Sequence, residues 1–276
     1  MNPAIKFPFF FSVTVLLASC SSAAGNTPTV PVVPTTAPTE TATTASPSGI
    51  TLTYGDNAQV ELVTPTGRHV YIDIWNTSFL TKQPTADDVL LTTHMHPDHY
   101  DSAFAGSFPG QQIIMAMGDI RLPDVTVTTI ASAHLPTDPI SADSATDYIF
   151  VIETGGLRIV HFGDIGQEKL TDEQLATIGK VDLAITQFSN SFSLMDATNR
   201  KGFHLMDQVK PRLIIPTHSD RSTMEIAFGL WNAFSSASRT VAIRQDALPA
   251  GTSILFLGNE NVIAAYTKLY NLKVWK

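Results

Sequence analysis

Three histidines and an aspartate, His94, His96, Asp98 and His99, fall within six residues in the run THMHPDHYD. Imidazole nitrogens and carboxylate oxygens are ligands for divalent metals, and packing so many at one point of a chain has no stabilising use without an ion to share them. They follow directly on DVLLTT (88–93), a short apolar run suited to a buried strand, and so sit at a strand end, where loops carry function. Side chains two apart in extended chain point the same way, which lets His94 and His96 converge on one ion. Pro97 breaks the strand and can open a helical turn that swings Asp98 and His99 towards a second ion. The spacing therefore predicts two neighbouring metal positions. Other catalytic templates are poorly represented: there is no Gly-x-Ser-x-Gly elbow, no glycine-rich phosphate loop with a lysine, and one cysteine, Cys20.

The elements that must hold these residues begin at Gly49, after which there is no low-complexity stretch and no repeat, so residues 49–276 read as one domain. TLTY, AQVELV and RHVYIDIW are β-branched or aromatic runs separated by turn residues, which predicts an antiparallel meander. QQIIMAM, VTVTTI, DYIFVIET and GLRIVHFG follow as strands, with Gly155 and Gly156 turning between the last two. TDEQLATIG reads as a short helix with Thr171 as its N-cap and Gly179 at its end. VDLAITQF and PRLIIPTH read as buried strands separated by a helix ending near Val209. RSTMEIAFGLWNAFSS is amphipathic at helical spacing, and TVAIRQ and SILFLG read as closing strands. Strands first, then strands alternating with helices, predict an α/β (α+β) fold in which two sheets pack face to face between helices, an αββα sandwich.

The histidine segment resembles the His-x-His-x-Asp-His signature of the metallo-β-lactamase superfamily, and the resemblance extends over residues 50 to about 220. It implies further ligands downstream: His134 in ASAHLP, Asp164 in HFGDIG and His218 in IIPTHSD. Carried over residue by residue, His94, His96 and His134 hold a first metal, Asp98, His99 and His218 a second, and Asp164 bridges them. Asp73, in YIDIW, stands where the family has an aspartate that orients a ligand histidine. The order of an early His, a Gly-Asp and a Pro-x-His is most similar to the ascorbate-6-phosphate lactonase-like branch.

The resemblance implies a hydrolase with two divalent ions, zinc foremost and manganese or iron as alternatives. A hydroxide bridging the metals would attack an ester, lactone, amide or phosphodiester in a small-molecule substrate, with Asp98 orienting the nucleophile or taking its proton. Two other functions remain open: an iron-dependent oxidoreductase of the same superfamily, whose members typically carry an acid where this chain has His96, and a noncatalytic surface-binding module. Among the other histidines, His161 is expected to pack beside the site and His69 to face solvent, while His204 lies in a loop-like stretch that could border the pocket as a substrate contact. HFGDIGQ and QFSN (187–190) depart from the pattern of many relatives and alter the expected pocket surroundings.

The N-terminus speaks to location. Residues 1–19 have one Lys and an apolar run from about Phe7 to Ala18, too short to cross a bilayer as a helix, which is the shape of a secretory signal. Leu17, Ala18, Ser19 and Cys20 resemble the lipobox of bacterial lipoproteins, which implies that Cys20 carries lipid and anchors the exported protein to a membrane. Residues 20–48, rich in Thr and Pro, cannot form a core and read as a disordered, semi-rigid tether. The net charge of −8 falls on the globular part and argues against a nonspecific nucleic-acid binder.

Overall fold

Residues 49–258 and 260–275 are described by the structure, a computed structural model; the signal-like head, Cys20 and the Thr/Pro-rich stretch lie outside the described residues. The apolar runs at the start form β1 (Ile50–Tyr54), β2 (Val60–Val63) and β3 (His69–Ile72), paired as an antiparallel meander. β4 (Val89–Thr92), buried along its whole length, joins β3 in parallel. After α1 (Ser102–Ser107), β5 (Gln111–Ile114) joins β4 in parallel. β6 (Asp119–Arg121), β7 (Val125–Ser132), β8 (Asp147–Thr154) and β9 (Leu157–His161) then pair antiparallel in succession.

The second half alternates: α2 (Asp172–Ile178), β10 (Leu183–Thr186), α3 (Lys201–Val209), β11 (Leu213–Pro216), α4 (Arg221–Leu230) and β12 (Asn232–Ser236). It finishes with β13 (Thr240–Ile243), β14 (Ser253–Leu257), α5 (Glu260–Tyr270) and β15 (Lys273–Val274). One sheet has the order β13-β1-β2-β3-β4-β5 and the other β15-β12-β14-β11-β10-β9-β8-β7-β6.

Period-two alternation decides which side chains meet. Along β8, Phe150 and Ile152 join Leu52, Leu62, Leu91 and Ile215 in the core between the sheets. Ile149 and Val151 point the other way, into a second core shared with Phe203, Leu205 and Met206 of α3 and Ala227 of α4. On the outer face of the first sheet, Tyr71 and Leu90 lie beneath Phe104 and Phe108 at α1. Helices therefore cover both outer faces, and the fold is the αββα sandwich expected.

Three local expectations are corrected. The helical spacing of RSTMEIAFGLWNAFSS ends at Leu230; Trp231 turns to extended backbone, and NAFSS becomes β12, paired with β14. SILFLG is followed by a further helix and strand, α5 and β15. His69 does not face solvent: it is 7% exposed and stacks on Tyr71, with Nδ1 2.5 Å from Oε1 of Glu61 on the neighbouring strand. The segment through Thr81 covers that outer face, donating its own N–H to Glu61 Oε2 at 2.8 Å.

The sheets meet differently at the two edges of the sandwich. β9, β10 and β11 run parallel, and β7 runs with β9 because each is antiparallel to β8, so the C-terminal ends of all four share one edge. At the opposite edge the two sheets are fastened together. Gly49 N–H, before β1, donates to Gly155 O in the β8–β9 turn at 2.7 Å. Gly155 has φ +59, and a Cβ there would lie 2.3 Å from Gly49 O, so only glycine fits. Beside it Arg68 Nε donates to Asp124 Oδ1 at 2.8 Å, while the Thr64 and Thr66 hydroxyls donate to Asp124 Oδ2.

Candidate metal centre

Pro97 and the buried run before it set the local geometry. β4 stops at Thr92, and the chain turns so that the His99 and Tyr100 N–H groups both donate to His96 O, at 3.0 and 3.1 Å. Asp101 then caps α1, accepting from the Ala103 and Phe104 N–H groups. His94, His96, Asp98 and His99 are thereby held on one short turn. His134 follows β7, Asp164 follows β9 and His218 follows β11, all at the edge where those strands end.

The structure brings these seven residues into two groups. His94, His96, His134 and Asp164 each offer a ligand atom, all lying within 4.8 Å of one another, and Asp98, His99 and His218 do the same. The Asp164 carboxylate stands between the groups: Oδ2 is 3.7 Å from His94 Nε2 and 3.3 Å from His99 Nε2, and Oδ1 is 3.4 Å from His218 Nε2. Asp98 Oδ2 lies 3.6 Å from His218 Nε2.

Whether these residues suit metal can be tested on their polar atoms. His94 Nε2, His134 Nε2 and Asp164 Oδ1 are buried with no hydrogen-bond partner, although a buried polar atom left alone is costly. All three belong to the same cluster. His99 Nε2 and His218 Nε2 approach to 3.2 Å, close to the separation of about 3.3 Å between two nitrogens that share one tetrahedral ion at about 2.0–2.1 Å. The donor set fits a pair of divalent ions.

Buried polar groups fix the rings of His99 and His94. Asp73 is fully buried with φ +50; its Oδ2 lies 2.9 Å from His99 Nδ1, and it accepts from the Thr93 N–H and hydroxyl at 2.7 and 2.8 Å. Holding the Nδ1 proton there presents the lone pair of His99 Nε2 to the cluster. His94 Nδ1 lies 3.1 Å from the Thr93 hydroxyl oxygen, and Asp147, also fully buried, stands beside it: its Oδ1 is 3.4 Å from His94 Nδ1 and accepts the Asp164 N–H at 3.2 Å, while Oδ2 accepts from Ser132. Gly163 makes room for it. With φ +55, a Cβ at Gly163 would stand 2.3 Å from Asp147 Oδ1.

Asp147 escapes a reading of the sequence because it has no ligand-like spacing. The available signal is an acid opening the apolar strand DYIFVIET, since a buried charge must have donors. Asn190, in the divergent QFSN, is the other addition: Nδ2 donates to Asp164 Oδ2 at 2.6 Å. His161 is fully buried beside the site, with Nε2 3.0 Å from Ala58 O and Nδ1 accepting the Gly163 N–H at 3.2 Å. His204 is not on a loop. It lies on α3 with its side chain exposed, while Phe203, Leu205 and Met206 take the buried face, and it lines none of the cavities beside the cluster.

Electrostatics follow the packing. Burial opposes charge on Asp164, but the hydrogen bond and charge of His99, with His218 and His94, hold its carboxyl well below the usual range. Burial likewise opposes charge on Asp73, and His99 overcomes it. Burial pushes His96, His134 and His218 down, towards the neutral imidazole that ligates metal.

Two cavities flank the cluster. One of about 370 Å³ is walled by His94, His96 and His134 together with Met95, Met115 and Tyr148. The other, about 480 Å³, lies beyond His218 and includes Arg221 and Arg239. A larger one of about 730 Å³ opens at the opposite edge, around Asp124 and Gly155, away from every residue of the cluster.

The family model for the beta-lactamase superfamily domain matches residues 51–218. In structure the chain is similar to a protein from Thermotoga maritima described as a candidate zinc-dependent hydrolase of the metallo-beta-lactamase superfamily. That likeness has a TM-score of 0.55 at 17% identity and covers 75% of this chain and 98% of that one. It is also similar to a candidate metal-dependent hydrolase from Parabacteroides distasonis, with a TM-score of 0.53 at 15% identity, covering 76% and 93% of the two chains. At these identities the likeness bears on the fold alone. No curated protein matches the chain by sequence.

Proposed function

Because this chain belongs to the beta-lactamase superfamily, with the family's domain spanning residues 51–218, we propose that it is a hydrolase using two divalent ions, zinc foremost, on an ester, lactone, amide or phosphodiester. The observation that carries this reading is the pair of ligand groups sharing Asp164, with three buried ligand atoms left without partners. His94, His96 and His134 would hold one ion, Asp98, His99 and His218 the other, and Asp164 both. Bound there, the ions would supply Lewis acidity and bring the pKa of a water between them down towards about 7.

The chain's own residues do the rest. Asp98 has the most open carboxylate of the cluster, with 38% of its side chain exposed, so it can orient the attacking water and accept its proton. Asp73 and the Thr93 hydroxyl keep the His99 and His94 rings aimed inward, with Asp147 beside His94. Asn190 holds the Asp164 carboxylate from the loop after β10. No side-chain nucleophile is needed.

The test is metal analysis of protein purified without added metal, followed by assays with chromogenic esters, lactones and phosphodiesters under zinc, manganese and iron. Two ions per chain and turnover lost in Asp98→Ala are expected. Stoichiometric iron with no hydrolysis would overturn the reading. We propose further that the protein is exported and lipid-anchored at Cys20, a reading supported by the apolar run before it and the Thr/Pro-rich stretch after it. Mass spectrometry of the N-terminal peptide checks it: a diacylated Cys20 is expected, and an unmodified thiol within an intact leader would refute it.

A further inference from the structure

The cavity beside His94, His96 and His134 has a chemical character that the metal ligands do not dictate. Met95, Met115, Ala145 and Tyr148 form most of its remaining wall, with Asp138 and Thr146, and neither Lys nor Arg among the described residues lines it. Asp138 is its one charged residue outside the ligands, and that carboxylate is already engaged, accepting from the Leu135 N–H at 3.0 Å and the Thr146 hydroxyl at 2.7 Å. At the rim, Phe192 is 72% exposed with its ring 5.7 Å from that of His96, and Met95 is 69% exposed. Single exposed apolar side chains are ordinary, but several gathered at the mouth of one polar site mark a binding surface.

Phe192 is also held in place. Asn190 Oδ1 accepts the Phe192 N–H at 2.9 Å while Asn190 Nδ2 donates to Asp164 Oδ2. The turn is closed by reciprocal hydrogen bonds between the backbones of Asn190 and Met195 at 2.8 and 2.9 Å. With its backbone held in this way, the phenyl ring gives up only its own side-chain torsions when something packs on it. In the other flanking cavity Arg221 Nε donates to Glu225 at 2.9 Å, and Arg239 donates to Tyr54 O at 3.4 Å.

From this we infer that the site takes a neutral substrate whose acyl portion is apolar, an aliphatic or aromatic ester, lactone or amide, with that portion lying over Met95, Met115 and Phe192 and its carbonyl at the ligand cluster. The inference rests on the hydrolase reading and narrows it. Apart from the ions the cluster would hold, no Lys or Arg among the described residues lines this cavity to pair with a charged group on the rest of the substrate. Methionine side chains adapt to varied apolar shapes, so tolerance of chain shape with dependence on chain length is the expected pattern.

The experiment uses the metal-loaded protein and a binding readout separate from turnover. Acetohydroxamic, butyrohydroxamic and octanohydroxamic acids, whose head groups chelate divalent metals, are titrated calorimetrically, alongside kinetics on nitrophenyl esters of matching chain length. Each added methylene is expected to tighten binding about two- to four-fold, as for partial to full burial of a methylene. Phe192→Ala should flatten that dependence, and Phe192→Lys should shift preference towards a chain ending in carboxylate. Chain-independent binding, unchanged in Phe192→Ala, would overturn the inference while leaving hydrolysis standing. Chain-dependent binding without turnover of any ester, lactone, amide or phosphodiester would sink the hydrolase reading and leave the apolar cavity standing. If Phe192→Ala instead abolished partition into phosphatidylcholine vesicles without altering hydroxamate binding, Phe192 would be a membrane contact and the inference would fall.

Discussion

The two edges of this sandwich solve the same problem in opposite ways. At the edge around Asp124, the turns of the two sheets meet through groups that satisfy one another: Arg68, Thr64 and Thr66 all donate to one carboxylate, and Gly49 closes on Gly155. At the histidine edge the sheets also face one another with buried polar groups, Asp73, His94 and His99 from one side and His134, Asp147 and Asp164 from the other. There the protein stops short of satisfying them, and His94 Nε2, His134 Nε2 and Asp164 Oδ1 have no partner. A buried carboxylate thus reads as structural or functional according to whether the protein itself supplies its partners. Cavity size points the wrong way, since the largest of the three cavities described lies at the satisfied edge.

Four experiments sharpen that contrast or break it. Replacing Asp164, which faces both ligand groups, should have the largest effect: Asp164→Ala is expected to lower turnover by on the order of 10³-fold or more, beyond the 10–100-fold typical of an outer partner, with metal content falling below two ions per chain. Unchanged stoichiometry would show that the orphaned atoms serve something other than metal. Next, adding divalent metal at a hundredfold excess over Kd to stripped protein should stabilise it by about 2.7 kcal/mol for each ion bound, or roughly 5–10 °C in Tm per ion for a domain of this size. A Tm that ignores metal would erase the difference between the edges.

Asp147→Asn should cost 10–100-fold in metal affinity, about 1.4–2.7 kcal/mol, with the fold retained by circular dichroism. The smallest effect belongs to the other edge. Thr66, Arg68 and Thr64 overcome the burial of Asp124 and hold its carboxyl at about 2, below the ordinary value of 3.8. A carboxyl depressed on folding contributes its stability above the unfolded pKa and loses it as pH falls through the folded one. Asp124→Asn should therefore destabilise by about 1–2 kcal/mol at pH 7, and progressively less as pH falls from 4 towards 2, leaving metal content untouched. Equal destabilisation at pH 7 and pH 2 would show that packing, not charge, holds that edge.

How much of the molecule is legible in its chain depends on the range of the interactions involved. The clustering of His94 to His99 is readable because these side chains are neighbours in sequence, and that of His134, Asp164 and His218 because a family pattern supplies what spacing cannot. Strands are legible where apolar alternation is strong, as in β1 to β3 and in β8 and β9. β12 is hidden because its sequence continues the amphipathic rhythm of α4, and only pairing with β14 makes it a strand. His69 is misjudged because alternation says which side chains share a face but not whether a distant loop covers it. Asp147 and Asn190 reach the site through partners 15 or more positions away, and no local pattern marks them.

The clasp between Gly49 and Gly155, with Asp124 beside it, makes that side of the sandwich the spine of a book, its two boards joined by the protein's own hydrogen bonds. On the opposite side the boards meet at the unsatisfied cluster, so ions bound there would act as a fastener as well as a reagent. Resistance to proteases would then track the metal supply of the surroundings, even for a variant with no catalytic power left.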